Sequence, residues 1–138
     1  MRPPLIGPIS LANLLADRAD YREAARRYEP DAISMKTIHS YGKEIVLDIF
    51  FGSWCSHCQM YMPKILRVAR DADNPRLKVD LIGVPRNFGG EKGPWSNKGI
   101  TTIPVIIVRK DGKEITRLST HEGALPEVEL AQILQALK

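Results

Sequence analysis

The sequence predicts an α/β domain built on a mixed β-sheet, and three observations predict it. Two apolar, β-branched runs of strand length, Glu44–Phe51 and Leu77–Val84, are separated by a helical stretch, as a strand–helix–strand unit requires. Two further runs, Ile103–Arg109 and Glu114–Leu118, flank Lys110-Asp111-Gly112-Lys113, which has the turn chemistry of an antiparallel hairpin. Between the first strand and the helix stands Trp54-Cys55-Ser56-His57-Cys58, which holds the only two cysteines of the chain.

From the N-terminus, Ser10 can cap a helix that runs through Leu11, Leu14, Leu15, Ala19, Ala24 and Ala25 to about Arg27, its apolar residues recurring at three- and four-residue steps. Pro30 interrupts it. Asp31 caps a shorter helix carrying Ile33, Met35 and Ile38, closed by the turn signal Tyr41-Gly42. Residues 1–42 are thus expected to form a helical extension packed on a domain spanning 43–138. The run Ile45–Phe51 is apolar enough for a central strand covered on both faces. From Ser56 the pattern turns helical, with Met60, Ile65, Leu66 and Ala69 available for burial; Pro63 should kink this helix, and Asn74-Pro75 should close it. Arg86–Gly99 reads as a polar, glycine-rich loop. Its Gly89-Gly90 pair is no phosphate loop, because no Gly-Lys-Ser/Thr follows. Trp95 is expected to pack or stand exposed near the site. Glu127–Leu137 forms an amphipathic closing helix.

The 138 residues suffice for one domain with a core. A hydrophobic content of 43% with 26% charged residues is that of an ordinary globular chain rather than a disordered one. The net charge of +4 comes from scattered Lys and Arg, with no clustered basic face for phosphate contacts, so nucleic-acid binding is not expected. The longest apolar stretches fall far short of the roughly 20 residues a membrane-spanning helix needs. Residues 1–8 lack the apolar core and cleavage site of a signal peptide. The chain as written reads as cytoplasmic, or as periplasmic or exported if a leader has been removed, and its compartment stays open.

A Cys-x-x-Cys pair at the start of a helix suits reversible disulfide chemistry. One thiol sits at the helix N-terminus, where unpaired N–H groups and the helix dipole stabilise a thiolate, and the second waits one turn inside. Attack by the first on a substrate disulfide forms a mixed disulfide, which the second resolves. A zinc site is the first alternative, but the only histidines besides His57 are His39 and His121, at no recognised finger spacing. A structural staple is the second, but closing so short a loop constrains the unfolded chain very little.

Phe50 through Leu66, followed by Thr102-Ile103-Pro104 and the Asp111-Gly112 hairpin, resembles the thioredoxin family over roughly Ile45 to Lys138. Trp54 precedes the nucleophilic position, Pro63 falls at the kink of the active-site helix, Pro104 falls at the family's cis-proline, and Gly123-Ala124 aligns with its substrate-facing loop. The resemblance implies a thioredoxin fold, a central mixed sheet flanked by helices, here with an N-terminal helical extension like that of an extended group of bacterial thioredoxin-like proteins. It implies that the Ile103–Pro104 bond is cis, lies against the cysteines, and helps hold a substrate segment. Trp54, Ser56, Ile103, Pro104 and Gly123 are the implied substrate-binding residues.

Three departures accompany the resemblance. The dipeptide Ser56-His57 resembles that of protein disulfide isomerase and the periplasmic disulfide oxidases, and an imidazole near Cys55 would make the couple more oxidising. The buried carboxylate that thioredoxins place six residues before the first cysteine is Ile49 here. Asp48 lies one residue earlier, and could assist proton transfer to Cys58 only if a bulge turned it to the cysteine face. Lastly, the usual first strand is not obvious, and two helices stand in its place.

The sequence therefore predicts a thiol–disulfide oxidoreductase in which Cys55 attacks, Cys58 resolves, His57 tunes the thiolate and Pro104 shapes the groove. Protein thiols and disulfides are the expected substrates, an external electron-transfer partner supplies electrons, and no cofactor is expected beyond the redox-active Cys55–Cys58 disulfide. A monomer is expected. The alternative from another class is a thiolate metal-binding protein or metallochaperone, for which Cu(I) suits two cysteines and a histidine best.

Overall fold

The most apolar run of the chain becomes the middle strand of the sheet. The computed structural model describes residues 3–137. Its strands are β1 (Gly7–Ile9), β2 (Ile45–Phe51), β3 (Leu77–Gly83), β4 (Val105–Lys110) and β5 (Lys113–Arg117), and its helices are α1 (Leu11–Asp17), α2 (Ala19–Arg27), α3 (Ala32–Ser40), α4 (Ser56–Ala72) and α5 (Pro126–Ala136). The strands form one five-stranded sheet in the order β1-β3-β2-β4-β5. β2 and β3 are parallel and joined through α4, while β1, β4 and β5 run antiparallel to their neighbours. The predicted α/β class, with a mixed sheet and N-terminal helices, is the observed one.

Alternation along β2 divides the molecule into two unequal layers. Ile45, Leu47, Ile49 and Phe51 are fully buried in one core with Leu14 of α1, Tyr21 of α2, Ile38 of α3, Ile65 and Leu66 of α4, and Leu130 and Leu134 of α5. Every helix thus contributes to the same face. Burying each of these aliphatic side chains contributes roughly 1.5–3 kcal/mol before conformational entropy is counted. On the other face Phe50 packs with Val84, Trp95 and Ile107, so the loop after β3 covers that end of the sheet in place of a helix. Gly93 permits this, because a Cβ there would lie 2.4 Å from the Trp95 ring, whose Nε1 donates to the Glu91 carbonyl at 3.0 Å. Val46 and Asp48 stay half-buried on this face, so the expected cover on both sides holds only at the Phe50 end.

Local chemistry accounts for most element boundaries. Ser10 Oγ accepts from Asn13 N at 3.1 Å and caps α1, and Asp31 accepts from Ser34 N at 3.0 Å and caps α3. Asp111 and Gly112, both at positive φ, form the turn between β4 and β5. Pro126 opens α5, where a missing N–H costs nothing. α4 continues through Pro63 to Ala72, and its buried positions include Tyr61 and Met62, leaving Met60 exposed.

Two expectations for the N-terminal region are corrected. The helix expected from Ser10 to Arg27 breaks at Arg18, whose backbone is extended. No Pro or Gly marks the break. Its cause is tertiary: the buried Arg18 guanidinium donates to Asp17 at 2.8 Å and to the Pro3 carbonyl at 3.3 Å. A first strand also exists. β1 pairs with β3 at the sheet edge, where Pro8 is tolerated, and the chain before it crosses Gly83 so closely that a Cβ there would lie 2.0 Å from the Leu5 carbonyl oxygen. Residues 7–9 therefore belong to the sheet itself.

α5 is tied to the N-terminal helices by a single buried carboxylate. Glu127, 1% exposed, accepts from the Tyr28 hydroxyl at 2.7 Å and from Asp31 N at 2.9 Å. Removing it strands both donors. Glu127→Ala is expected to lower the unfolding free energy by about 2–4 kcal/mol in urea titration, and Glu127→Gln, which keeps one acceptor, by less. Equal stability of all three proteins would show that these contacts contribute nothing.

Candidate redox site

The site is assembled where β2 ends. Phe51 still accepts from Val84 N at 2.8 Å, and the chain then turns through Gly52, Ser53 and Trp54. Cys55 N donates back to the Gly52 carbonyl at 3.0 Å, and the Cys55 carbonyl accepts from Gln59 N at 3.1 Å as the cap of α4. The Cys55 side chain makes no capping hydrogen bond and is half-buried, at the end of the helix where N–H groups lack intrahelical partners. Cys58 lies one turn inside and is 0% exposed. Burial pushes the Cys58 thiol well above its ordinary range; the Gly52 N–H, 3.4 Å from Sγ, opposes this, and the neighbouring Cys55 adds to it. One sulfur is thus accessible, and the other is a buried thiol held against the turn.

Gly52 is the meeting point of three segments. A Cβ on it would lie 2.7 Å from Ile103 Cδ1 and 2.7 Å from Trp54 Cε2, so only glycine lets these side chains close on the turn. The Ile103–Pro104 bond is cis, and Pro104 is buried. Trp54 is fixed by its indole N–H, which donates to the Val84 carbonyl at 3.0 Å, and the Arg86 guanidinium sits 5.5 Å from its ring centroid. Trp54, Cys55, Cys58 and Ile103 accordingly meet at one backbone position. His57 and Gly123 lie on a second flank. His57 Nε2 donates to the Thr120 carbonyl at 2.5 Å, and Lys64 Nζ donates to the Ala124 carbonyl at 3.0 Å, so α4 holds the loop that carries Gly123, exposed at φ +85. Ser56 is exposed in the first turn of α4.

Asp48 is corrected. No bulge turns it; it lies on the opposite face from Cys58, where Arg109 Nε and Nη2 donate to its oxygens at 2.8 and 3.0 Å. That two-pronged pair, with Asp80 3.7 Å from Arg109, is a cross-strand contact and cannot pass a proton to the buried thiol. Among the described residues, no three His, Cys, Asp or Glu side chains converge as a metal site would require. No helix of the described residues is long and apolar enough to cross a membrane.

The N-terminal segment forms a wall that sequence reasoning missed. Leu5 N donates to Ser53 Oγ at 2.9 Å, within the redox turn itself. Arg18, Asp20, Ser53, Trp54, Gln59 and Arg86 line a cavity of about 200 Å³ beside the motif. Tyr21, 1% exposed, enters the same core as Cys58. The available signal was the Leu14, Tyr21, Ala25 spacing, which puts a hydroxyl on an apolar helix face.

The thioredoxin family model matches residues 32–136, which include α3 as well as the sheet and the cysteine motif. Thioredoxin from Chlamydia trachomatis is 35% identical over 74 residues, covering 53% of this chain and 66% of the chlamydial protein, so the chain spans just under two thirds of that relative's length. Thioredoxin 1 from Synechococcus elongatus is 32% identical over 89 residues, covering 64% of this chain and 76% of the relative. Among solved structures, a protein of unknown function from Pseudomonas aeruginosa shares the fold, with TM-score 0.67 and 14% identity over 96% of this chain and 95% of that one, a likeness that extends over the N-terminal elements. Fold, motif and relatives agree: the chain belongs to the thioredoxin family.

Proposed function

We propose that this protein is a thiol–disulfide oxidoreductase that acts on protein disulfides through Cys55 and Cys58. The observation that carries the reading is the contrast between the two sulfurs, one accessible at the start of α4 and one fully buried a turn deeper. Cys55 attacks a substrate disulfide and forms a mixed disulfide with it. Cys58 then attacks Cys55, releases the substrate as a thiol, and leaves a Cys55–Cys58 disulfide that an external thiol partner must reduce; in the oxidising direction the same steps run backwards. The cysteine pair is its own redox group, so the cycle needs no further cofactor. The substrate segment is held by Trp54, Ser56, Ile103, Pro104 and Gly123: Trp54 and Ser56 adjoin Cys55 in the chain, and Ile103, before the cis Pro104, reaches the Gly52 turn. Ser56, His57 and Gly123 are solvent-exposed, as a docking rim requires.

Brief alkylation of the reduced protein, mapped by peptide mass spectrometry, is expected to modify Cys55 ahead of Cys58, because Cys58 is buried and its thiol held protonated. Cys58→Ser should trap mixed disulfides through Cys55, and Cys55→Ser few. Preferential labelling of Cys58 would reverse the assignment.

His57 holds Thr120, and we assign it a second role, tuning the Cys55 thiolate from the first turn of α4. Proline is tolerated that early in a helix, so His57→Pro removes the imidazole without breaking α4. The couple is expected to become more reducing, since loss of a cationic or N–H group beside the thiolate weakens the reduced form. An unchanged potential would leave His57 with the Thr120 contact alone.

A further inference from the structure

One cation beside the redox turn has no charged partner. Apart from the contact of its guanidinium with the Trp54 ring, 5.5 Å from the centroid, the exposed Arg86 makes no ion pair or hydrogen bond among the described residues. Its place is nevertheless fixed. Val84, two residues earlier, is held at both ends: its N–H donates to the Phe51 carbonyl at 2.8 Å, and its own carbonyl accepts from Trp54 Nε1 at 3.0 Å. Pro85, between Val84 and Arg86, is buried. The guanidinium thus rests on an indole that is itself anchored one residue before Cys55. An arginine stacked on an aromatic face keeps its planar fork of N–H donors free at its edge, and it has already lost part of the side-chain freedom that pairing would cost.

Arg86 also borders the cavity of about 200 Å³ between the N-terminal segment and the motif. Arg18 and Asp20 line it from the N-terminal side, and Ser53, Trp54, Gln59 and Arg86 line it from the side of the redox turn. Two of these residues are tied to Cys55. Trp54 precedes it in the chain, and Gln59 donates its backbone N–H to the Cys55 carbonyl at 3.1 Å. A substrate whose disulfide meets Cys55 therefore brings its neighbouring residues beside this cavity. Several polar groups there are already engaged: the Arg18 guanidinium donates to Asp17 and to the Pro3 carbonyl, and Ser53 Oγ accepts from Leu5 N. Those left available are the Arg86 guanidinium and the exposed Gln59 amide on the motif side, and Asp20 from α2. The motif side thus offers a cation and an amide donor, the pair of groups that an anion requires.

We propose that Arg86 is a specificity-determining residue, which together with the Gln59 amide takes the carboxylate of an Asp or Glu neighbouring the reacting cysteine of a protein substrate. The inference rests on the redox reading above and names the substrates that this site favours. The pair moves no electron and no proton. It seats the substrate sulfur at Cys55 before attack, so it acts on the rate of the first disulfide exchange and not on the equilibrium between Cys55 and Cys58. The N-terminal segment forms the other wall of the cavity. It partly shields the carboxylate from water, and a charge pair so shielded is worth more than one on an open surface.

The test uses homodimeric disulfides of one short peptide, with Asp, Asn or Lys placed in turn at each position near its cysteine. Release of peptide thiol by the reduced, full-length protein is followed by chromatography, and second-order rate constants are compared. At the position that reaches the cavity, the Asp peptide is expected to react about fivefold faster than the Asn peptide, the factor a partly shielded charge pair supplies, and the Lys peptide more slowly. Arg86→Gln should bring the Asp-to-Asn ratio close to one, and Arg86→Lys, which keeps the charge without the planar fork, should retain part of it. Taking the ratio cancels any change in the reactivity of Cys55 itself. Lys113→Gln removes the same charge at the far end of the β4–β5 hairpin, where Lys113 pairs with Lys110; the opposite end of β4, Val105, pairs with Phe50 beside the redox turn. It should leave the ratio as in the parent. A parent ratio near one at every position overturns the proposal. So does a ratio that Arg86→Gln leaves unchanged, or one that Lys113→Gln lowers equally, since net charge alone would then account for it. A preference for Lys gives the cavity to Asp20 and overturns it as well. Oxidised glutathione compared with its ethyl ester distinguishes the source of the carboxylate: an Arg86-dependent preference there and in none of the peptides assigns the cavity to a small disulfide and overturns the protein-substrate assignment. If the parent releases thiol from none of the peptides, the redox reading fails first and this inference with it; every other outcome leaves that reading standing.

Discussion

At Gly52 the central strand ends, the redox turn begins, and two side chains close on a backbone that has no Cβ. Its N–H reaches the Cys58 sulfur, its carbonyl receives Cys55 N, and Ile103 and Trp54 pack where any other residue would place a methyl group. This one position couples β2, α4 and the Pro104 loop. Because β2 is pinned on both sides, to β3 and to β4, the turn inherits the rigidity of the sheet rather than that of a surface loop. The contrast between an accessible Cys55 and a buried Cys58 follows from the geometry: α4 starts beyond the end of the central strand with one sulfur at its cap and carries the next turn into the core.

The layering of the molecule determines what can reach that buried turn. With all five helices contributing to a single core, α2 lies against α4, and the sheet's other face is left to the loop holding Trp95. The segment before α2 is fastened by Leu14 in the core and by small, specific contacts as well: Leu5 N on Ser53, Arg18 on the Pro3 carbonyl, and the close crossing at Gly83. Each contact ends at or near the redox turn. The N-terminal elements are consequently part of the site's wall, and Glu127 secures their far end by binding Tyr28 and the start of α3.

The parts of this architecture governed by local chemistry were legible in the sequence. Ser10 and Asp31 cap where they should, Asp111-Gly112 turns the hairpin, and the run Ile45–Phe51 is the central strand. The cysteine motif was legible because its spacing carries the chemistry. What failed to show was set by contacts distant in sequence. The helix break at Arg18 has no breaker residue and exists because the side chain is drawn to Pro3; β1 is short, contains Gly and Pro, and forms only because β3 offers an edge. Trp95 could be foreseen as packed or exposed but not assigned, since the glycine that admits its ring matters only once the loop has folded over Phe50. Asp48 illustrates the reverse. Period-two alternation placed it away from the cysteines, and the partner that accounts for it, Arg109, is 61 residues away.

The claim on which the account rests is that Cys55 and Cys58 form one reversible two-electron couple. It is tested most directly by equilibrating the intact protein in glutathione buffers of graded potential, quenching with acid, and weighing the products. The account predicts a single transition from dithiol to an intramolecular Cys55–Cys58 disulfide, because the buried sulfur resolves any adduct formed at the accessible one. A protein that accumulates glutathione on Cys55 while Cys58 remains a free thiol across the whole range would contradict it.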